Sequence, residues 1–135
     1  MKILLDTHAV IWSLTDDPHL SPEARALIQD RENLAIVSAA SLWEIVIKSQ
    51  KAPSLCPYHE KDVLHFCRLS GYELLPVRPE HVLQVRSLRV RAGHVLSNQD
   101  PFDRILLAQA KEEHATFLTH DRIFAHYDEP CIRQI

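Results

Sequence analysis

The chain has 135 residues, 46% hydrophobic and 24% charged, with 18 acids against 15 lysines and arginines for a net charge of −3. That length and apolar share predict one globular domain over residues 1–135, and the negative balance argues against a general nucleic-acid coat. Two glycines, Gly71 and Gly93, exclude a Gly-rich phosphate cradle, and three cysteines (Cys56, Cys67, Cys131) without C-x-x-C spacing exclude a disulfide scaffold or a zinc knuckle.

The first predicted element is a strand, Lys2–Leu5, which ends on Asp6 and passes into a helix over Thr7–Leu14. Asp6 interrupts the apolar start too early for a signal peptide. A helix over Pro22–Arg31 opens with Ser21 as cap and proline at its first position. Strand Leu34–Val37 and helix Ala39–Lys51 follow. The apolar stretch from Leu34 to Trp43 is too short to span a membrane and carries Ser38 and Ser41, so a reduced, cytoplasmic protein is expected. Then come a helix over Pro57–Ser70, a strand over Glu73–Leu75 and a helix over Glu80–Arg91. That helix ends in RSLRVR, where Arg86, Arg89 and Arg91 form either a substrate-facing basic strip or a solvated helix face. At helical spacing Arg86 and Arg89 share a face, with Arg91 well round from both. The longest loop holds Gly93 and Asn98. A helix over Pro101–Glu113 is capped by Asp100, strand Thr116–Leu118 leads to a short helix over Arg122–Ala125, and Cys131–Arg133 reads as a weak last strand.

Strands alternating with helices predict βαβ units, hence a mostly parallel sheet of about five strands with helices on both faces. Right-handed crossovers bring the C-terminal ends of the strands to one edge, where ligands of such sheets bind. Asp6, Ser38 and the run from Thr119 to Asp121 are thereby expected to meet.

Four carboxylates then need weighing, and each has an ordinary role. Asp6 can cap the helix from Thr7, and Asp121 the helix from Arg122. Glu44, the one acid in the apolar run Ala39–Ile47, can pair with Lys48 one turn on. Asp103 stands at the capping-box position behind Asp100 and faces the positive helix end. Together at one sheet edge they would repel and raise one another's pKa, an arrangement that persists when a cation neutralises it. All-oxygen donors select Mg²⁺ or Mn²⁺, which can activate water and steady the leaving oxygen of a phosphodiester.

The segments ILLDTHAVIW, SLWEI, DPFDRILLAQA and FLTHDRIF, in this order and spacing, resemble the PIN-domain ribonucleases, in particular the VapC-type toxins of prokaryotic toxin–antitoxin pairs. The resemblance covers essentially the whole chain. It implies a three-layer α/β/α fold and maps the family's acidic site, catalytic and metal-binding, onto Asp6, Glu44, Asp103 and Asp121. Ser38 and Thr119 fall at supporting or water-orienting positions, and Asp100 is an extra acid without a mapped role. The implied activity is Mg²⁺- or Mn²⁺-dependent cleavage of single-stranded or looped RNA by an activated water, leaving 5′-phosphate and 3′-hydroxyl ends. Arg86, Arg89, Arg91 and Arg104 are candidate RNA phosphate contacts. The resemblance further implies a homodimer and a cognate antitoxin whose helix fills a groove near the site, with Trp12 and Trp43 as either contacts for it or core residues.

Three other readings compete. The His120-Asp121 pair could belong to an HD-type phosphohydrolase, but the helix-borne partners of such a site are not evident. A receiver-like domain would want an acidic pair by the first strand and a lysine after a late one. A catalytically inactive PIN-like module that binds RNA or a partner would not need intact acids.

Overall fold

The computed structural model describes residues 1–94 and 100–135. Its elements are β1 (Lys2–Leu5), α1 (Thr7–Thr15), α2 (Pro22–Gln29), β2 (Leu34–Ser38), α3 (Ala39–Lys51), α4 (Glu60–Leu69), β3 (Glu73–Leu75), α5 (Pro79–Gln84), α6 (Pro101–Glu112), β4 (Thr116–Thr119) and β5 (Ile132–Gln134). Two 3₁₀ turns, Val85–Ser87 and Arg122–His126, complete them. The strands pair in the order β3-β2-β1-β4-β5, every pair parallel.

The side-chain alternation of the strands divides the core in two. Leu4, Ile36 and Phe117 point to one face, where they meet Leu106, Leu107 and Ala110 of α6 together with Phe124 and Tyr127. Ile3, Leu5, Ala35, Val37 and Leu118 point to the other, against Ala9 and Val10 of α1, Ala24 and Ile28 of α2, Ile45 of α3 and Val63 and Cys67 of α4. A strand buried on both faces must be apolar throughout, which is why KILL and LAIV carry no polar alternation. Ile3, Leu4 and Leu5 are fully buried, and truncating any of them to alanine is expected to cost about 2–5 kcal/mol.

The strand order places the site. The chain steps outward from β1 to β2 to β3, then returns to the opposite side of β1 to lay down β4 and β5. The direction of winding therefore reverses between β1 and β4, and a crevice opens beyond their C-terminal ends. Asp6 follows β1 at that point and Asp121 follows β4.

The helix read over Pro57–Ser70 begins only at Glu60, because His59 is its cap: Nδ1 accepts from the Lys61 amide at 3.1 Å. The helix read over Glu80–Arg91 is corrected more deeply. It is α-helical from Pro79 to Gln84, tightens into the 3₁₀ turn, and is extended by Leu88. Tertiary pairing overrides helical propensity there. Val90 bridges Tyr127, the Arg91 amide donates to His126 O at 2.8 Å, and the Asp128 amide donates to Arg89 O at 2.8 Å. Arg86 and Arg89 therefore share no helix face. The segment read as a short helix after Asp121 is the second 3₁₀ turn, and the last strand lies one residue later than expected. Gly93 adopts φ 81°, as a loop glycine can, whereas Asn98, read with it as loop, lies outside the described residues. Among the described residues no helix is long and apolar enough to cross a membrane.

Candidate functional site

At the end of β1 the chain turns abruptly from strand to helix, and Asp6 makes that turn. Its Oδ1 accepts the Thr7 amide at 2.7 Å, the capping role its type suggests. Its other oxygen, Oδ2, accepts from Thr119 Oγ1 at 2.6 Å, and its amide donates to Leu118 O at 3.0 Å. Thr119 Oγ1 in turn accepts from the Asp121 amide at 3.0 Å. One hydroxyl thus ties together the acids that end β1 and β4, and it is wholly buried. Burial raises the pKa of Asp6, against the lowering effect of its hydrogen bonds to Thr119 and Thr7; the charge of Glu44 raises it further.

Glu44 projects from α3 and is only 4% exposed. Its Oε1 accepts from Thr7 Oγ1 at 2.5 Å, and Oε2 pairs with Lys48 Nζ at 2.7 Å. The i,i+4 pair anticipated as an ordinary role is therefore present, but its acid is buried, unlike a surface pair. Burial pulls the Lys48 pKa down, yet the hydrogen bond and charge of Glu44, followed by the charges of Asp100 and Asp103, carry it above the ordinary lysine value. Lys48 is a cation set among acids.

Asp103 sits in the first turn of α6, behind the cap formed by Asp100 Oδ1 and the Phe102 amide at 2.8 Å. Its carboxyl is pushed up to about 7 by burial, then by the charges of Asp100, Asp6, Asp121 and Glu44. Acids from three other segments thus bear on Asp103 through space at the reversal crevice. Asp121 is exposed and caps the turn after β4, with Oδ1 accepting the Ile123 amide at 3.0 Å. Among the described residues, no three His, Cys, Asp or Glu side chains are gathered closely enough to hold a metal ion; Glu44 is drawn to Lys48 instead.

Ser38 is buried and caps α3, accepting from the Ala40 amide at 3.0 Å. The arginines scatter. Arg89 pairs with buried Glu129 at 3.5 Å, Arg91 Nε donates to Ala125 O, and Arg104 reaches Tyr127 Oη at 3.4 Å and Val85 O at 3.3 Å. Arg86 is exposed in the 3₁₀ turn with no ion pair among the described residues.

The family model of the PIN domain matches residues 3–130. The chain belongs to the PIN domain family. No curated protein sequence matches this PIN domain. Its fold is similar to that in VapBC2 from Rickettsia felis, crystallised with a promoter DNA fragment, at TM-score 0.69 and 16% identity over 99% of this chain and 98% of that one. DNA-bound VapBC from Salmonella typhimurium gives 0.67 and 21% over the same shares. VapC20 from Mycobacterium tuberculosis, a sarcin–ricin loop cleaving toxin, gives 0.55 and 12% over 91% and 92%.

Sequence reasoning did not single out Thr7 or Lys48 for this PIN domain's crevice. Thr7 carried a signal, being a hydroxyl directly after a strand-ending acid, and here it orders both Asp6 and Glu44. Nor was Trp43 legible: it is 62% exposed, so it is no core residue, and it lies edge-on against Phe102 at 5.0 Å.

Proposed function

We propose that this PIN domain is a Mg²⁺- or Mn²⁺-dependent endoribonuclease and the toxin of a toxin–antitoxin pair. The observation that carries the reading is Asp103, whose carboxyl is raised to about 7 by burial and by four neighbouring acids at the winding reversal. Such a concentration of carboxylates costs stability unless something positive joins it. The donor set, oxygen without sulfur or imidazole, fits a hard divalent cation. Asp6, Glu44, Asp103 and Asp121 would hold it by drawing together from the metal-free arrangement, in which no three of them are close enough and Glu44 is paired with Lys48. When bound, the ion supplies charge neutralisation and the Lewis acidity that activates water toward a phosphodiester.

The remaining work falls to the chain. Thr119 and the Thr7 amide fix Asp6, while Thr7 Oγ1 fixes one oxygen of Glu44 and Lys48 holds the other. Arg86, exposed and without an ion pair among the described residues, remains a candidate phosphate contact. The complexes of similar fold support a protein antitoxin as partner, and the cleaving activity named for VapC20 supports RNA as substrate. A homodimer is proposed on the family resemblance alone.

One observation favours a second reading, a PIN-like module that binds without cutting: Glu44 is already neutralised by Lys48. A cleavage assay separates the two. Single-stranded RNA incubated with chelator-treated protein should stay intact, be cut when Mg²⁺ or Mn²⁺ is added, and stay intact with Asp6→Asn whatever the metal. Fragments should carry 5′-phosphates. Metal-supplemented protein that binds RNA and cuts none would establish the binding module instead.

A further inference from the structure

Beyond the carboxylates lies a feature that the cleavage chemistry leaves unused. Trp12 of α1 is stacked against His8, with centroids 5.5 Å apart and planes 14° apart, and against His19 at 5.3 Å and 21°. His120 meets it edge-on at 5.2 Å. These four rings, with Asp121 and Arg122, line a shallow groove of about 580 Å³. Asp121 is both a wall of this groove and one of the four acids, so groove and crevice are continuous.

The polar atoms of the rings are set by their partners. His19 donates Nδ1–H to Asp17 Oδ1 at 2.6 Å, and His120 donates Nδ1–H to Ile135 O at 2.9 Å. In the neutral rings each remaining Nε2 is an acceptor, without a partner among the described residues. Arg122 is exposed and forms no ion pair among the described residues. The groove therefore offers flat π surfaces, in-plane acceptors and one guanidinium. An unpaired nucleobase has the matching faces and edge donors, and its flanking phosphate the matching charge.

We propose that the groove around Trp12 receives an unpaired base of the RNA strand whose phosphodiester lies at the four carboxylates. The assignment rests on the endoribonuclease reading above and names a base-binding position within it. A base entering the groove extends an existing stack, and stacking of this kind tolerates any base.

The test uses the full-length chain and a short, fluorescently labelled single-stranded RNA, in Ca²⁺ with Mg²⁺ and Mn²⁺ withheld. In Trp43→Phe protein, Trp12 is the sole tryptophan, and its emission should be quenched as RNA is added. Trp12→Ala should weaken binding by roughly five- to 150-fold. RNA made abasic one position at a time should reproduce that loss at one position in the wild type and add nothing further in Trp12→Ala. His19→Ala removes an exposed ring and keeps the test decisive should Trp12→Ala misfold; it should give a smaller loss that vanishes at the same abasic position. Unquenched Trp12 with RNA bound, or wild-type affinity in both variants, overturns the proposal. If the wild type meanwhile cuts RNA with metal, the nuclease reading survives that failure. A wild-type protein that binds no RNA overturns both.

Discussion

Asp103 shows what burial, and after it the charge of neighbouring acids, does to one carboxyl of the crevice. Its carboxyl is raised in the fold from an ordinary 3.8 to about 7. A raised folded-state pKa means that the native protein holds this proton more tightly than the unfolded chain does. The contribution is fully present below about pH 4 and is lost as pH rises through about 7. Metal-free wild type should therefore lose thermal stability between about pH 4 and pH 7 relative to Asp103→Asn, which has no carboxyl proton to lose. Parallel melting curves for the two proteins across that range would count against the cluster. Lys48 makes a complementary case. It neutralises a nearly buried Glu44 but is itself half exposed, so Lys48→Met should cost only about 1 kcal/mol in metal-free protein. The same change releases Glu44, and Mn²⁺ should then raise the melting temperature more than in wild type. An equal or smaller rise would mean that Lys48 does not compete with the cation.

Elements whose apolar pattern was long or strongly periodic were legible in the sequence: strands β1 to β4 and the helices α1, α3 and α6 fall within a residue or so of expectation. The element that misled was the one after β3. RSLRVR reads as helix on propensity and spacing, but residues 89–91 pair with residues 126–128, a partnership that no local pattern announces. Arg89 consequently reaches Glu129 of the loop before β5 instead of sharing a face with Arg86. Glu129 is buried, with Lys111 Nζ at 2.9 and 3.1 Å from its two oxygens and Arg89 farther away at 3.5 Å. Lys111→Met should strand that carboxylate and cost about 3 kcal/mol, whereas Arg89→Met, removing a mostly exposed partner, should cost less than about 1 kcal/mol. Chemical denaturation of both variants checks the order. Equal losses would show that the two cations share Glu129 evenly.

At the scale of the molecule, the strand order sets where the acids after β1 and β4 stand, beyond the strand ends at the reversal of winding. Each of the four acids was legible singly as a cap or a helix pair. The parallel topology was legible too, and it sends the strand ends to one edge, but among the described residues it does not close three of the acids into a metal-holding group. Of the supporting residues, Thr119 and the Glu44–Lys48 pair were legible, whereas the bonds of Thr7 and the charges of Asp100 and Asp103 on Lys48 were not. Thr7 and Lys48 matter through distances that only the folded chain sets, and the rings around Trp12 come from α1, from the turn after it and from the end of β4. Winding that reverses between β1 and β4 leaves room beyond their ends, and Thr119 spans it with one hydroxyl bonded to Asp6 and to the Asp121 amide. The central claim is that this crevice is a single divalent-cation site built from all four acids. Calorimetric titration of Mn²⁺ into chelator-treated protein tests it most directly, with Asp6→Asn, Glu44→Gln, Asp103→Asn and Asp121→Asn alongside wild type. Saturable binding in wild type, weakened at least about tenfold in each folded variant, is the predicted result. Wild-type affinity retained in Asp6→Asn and Asp103→Asn, or no saturable binding in any of the proteins, would contradict it.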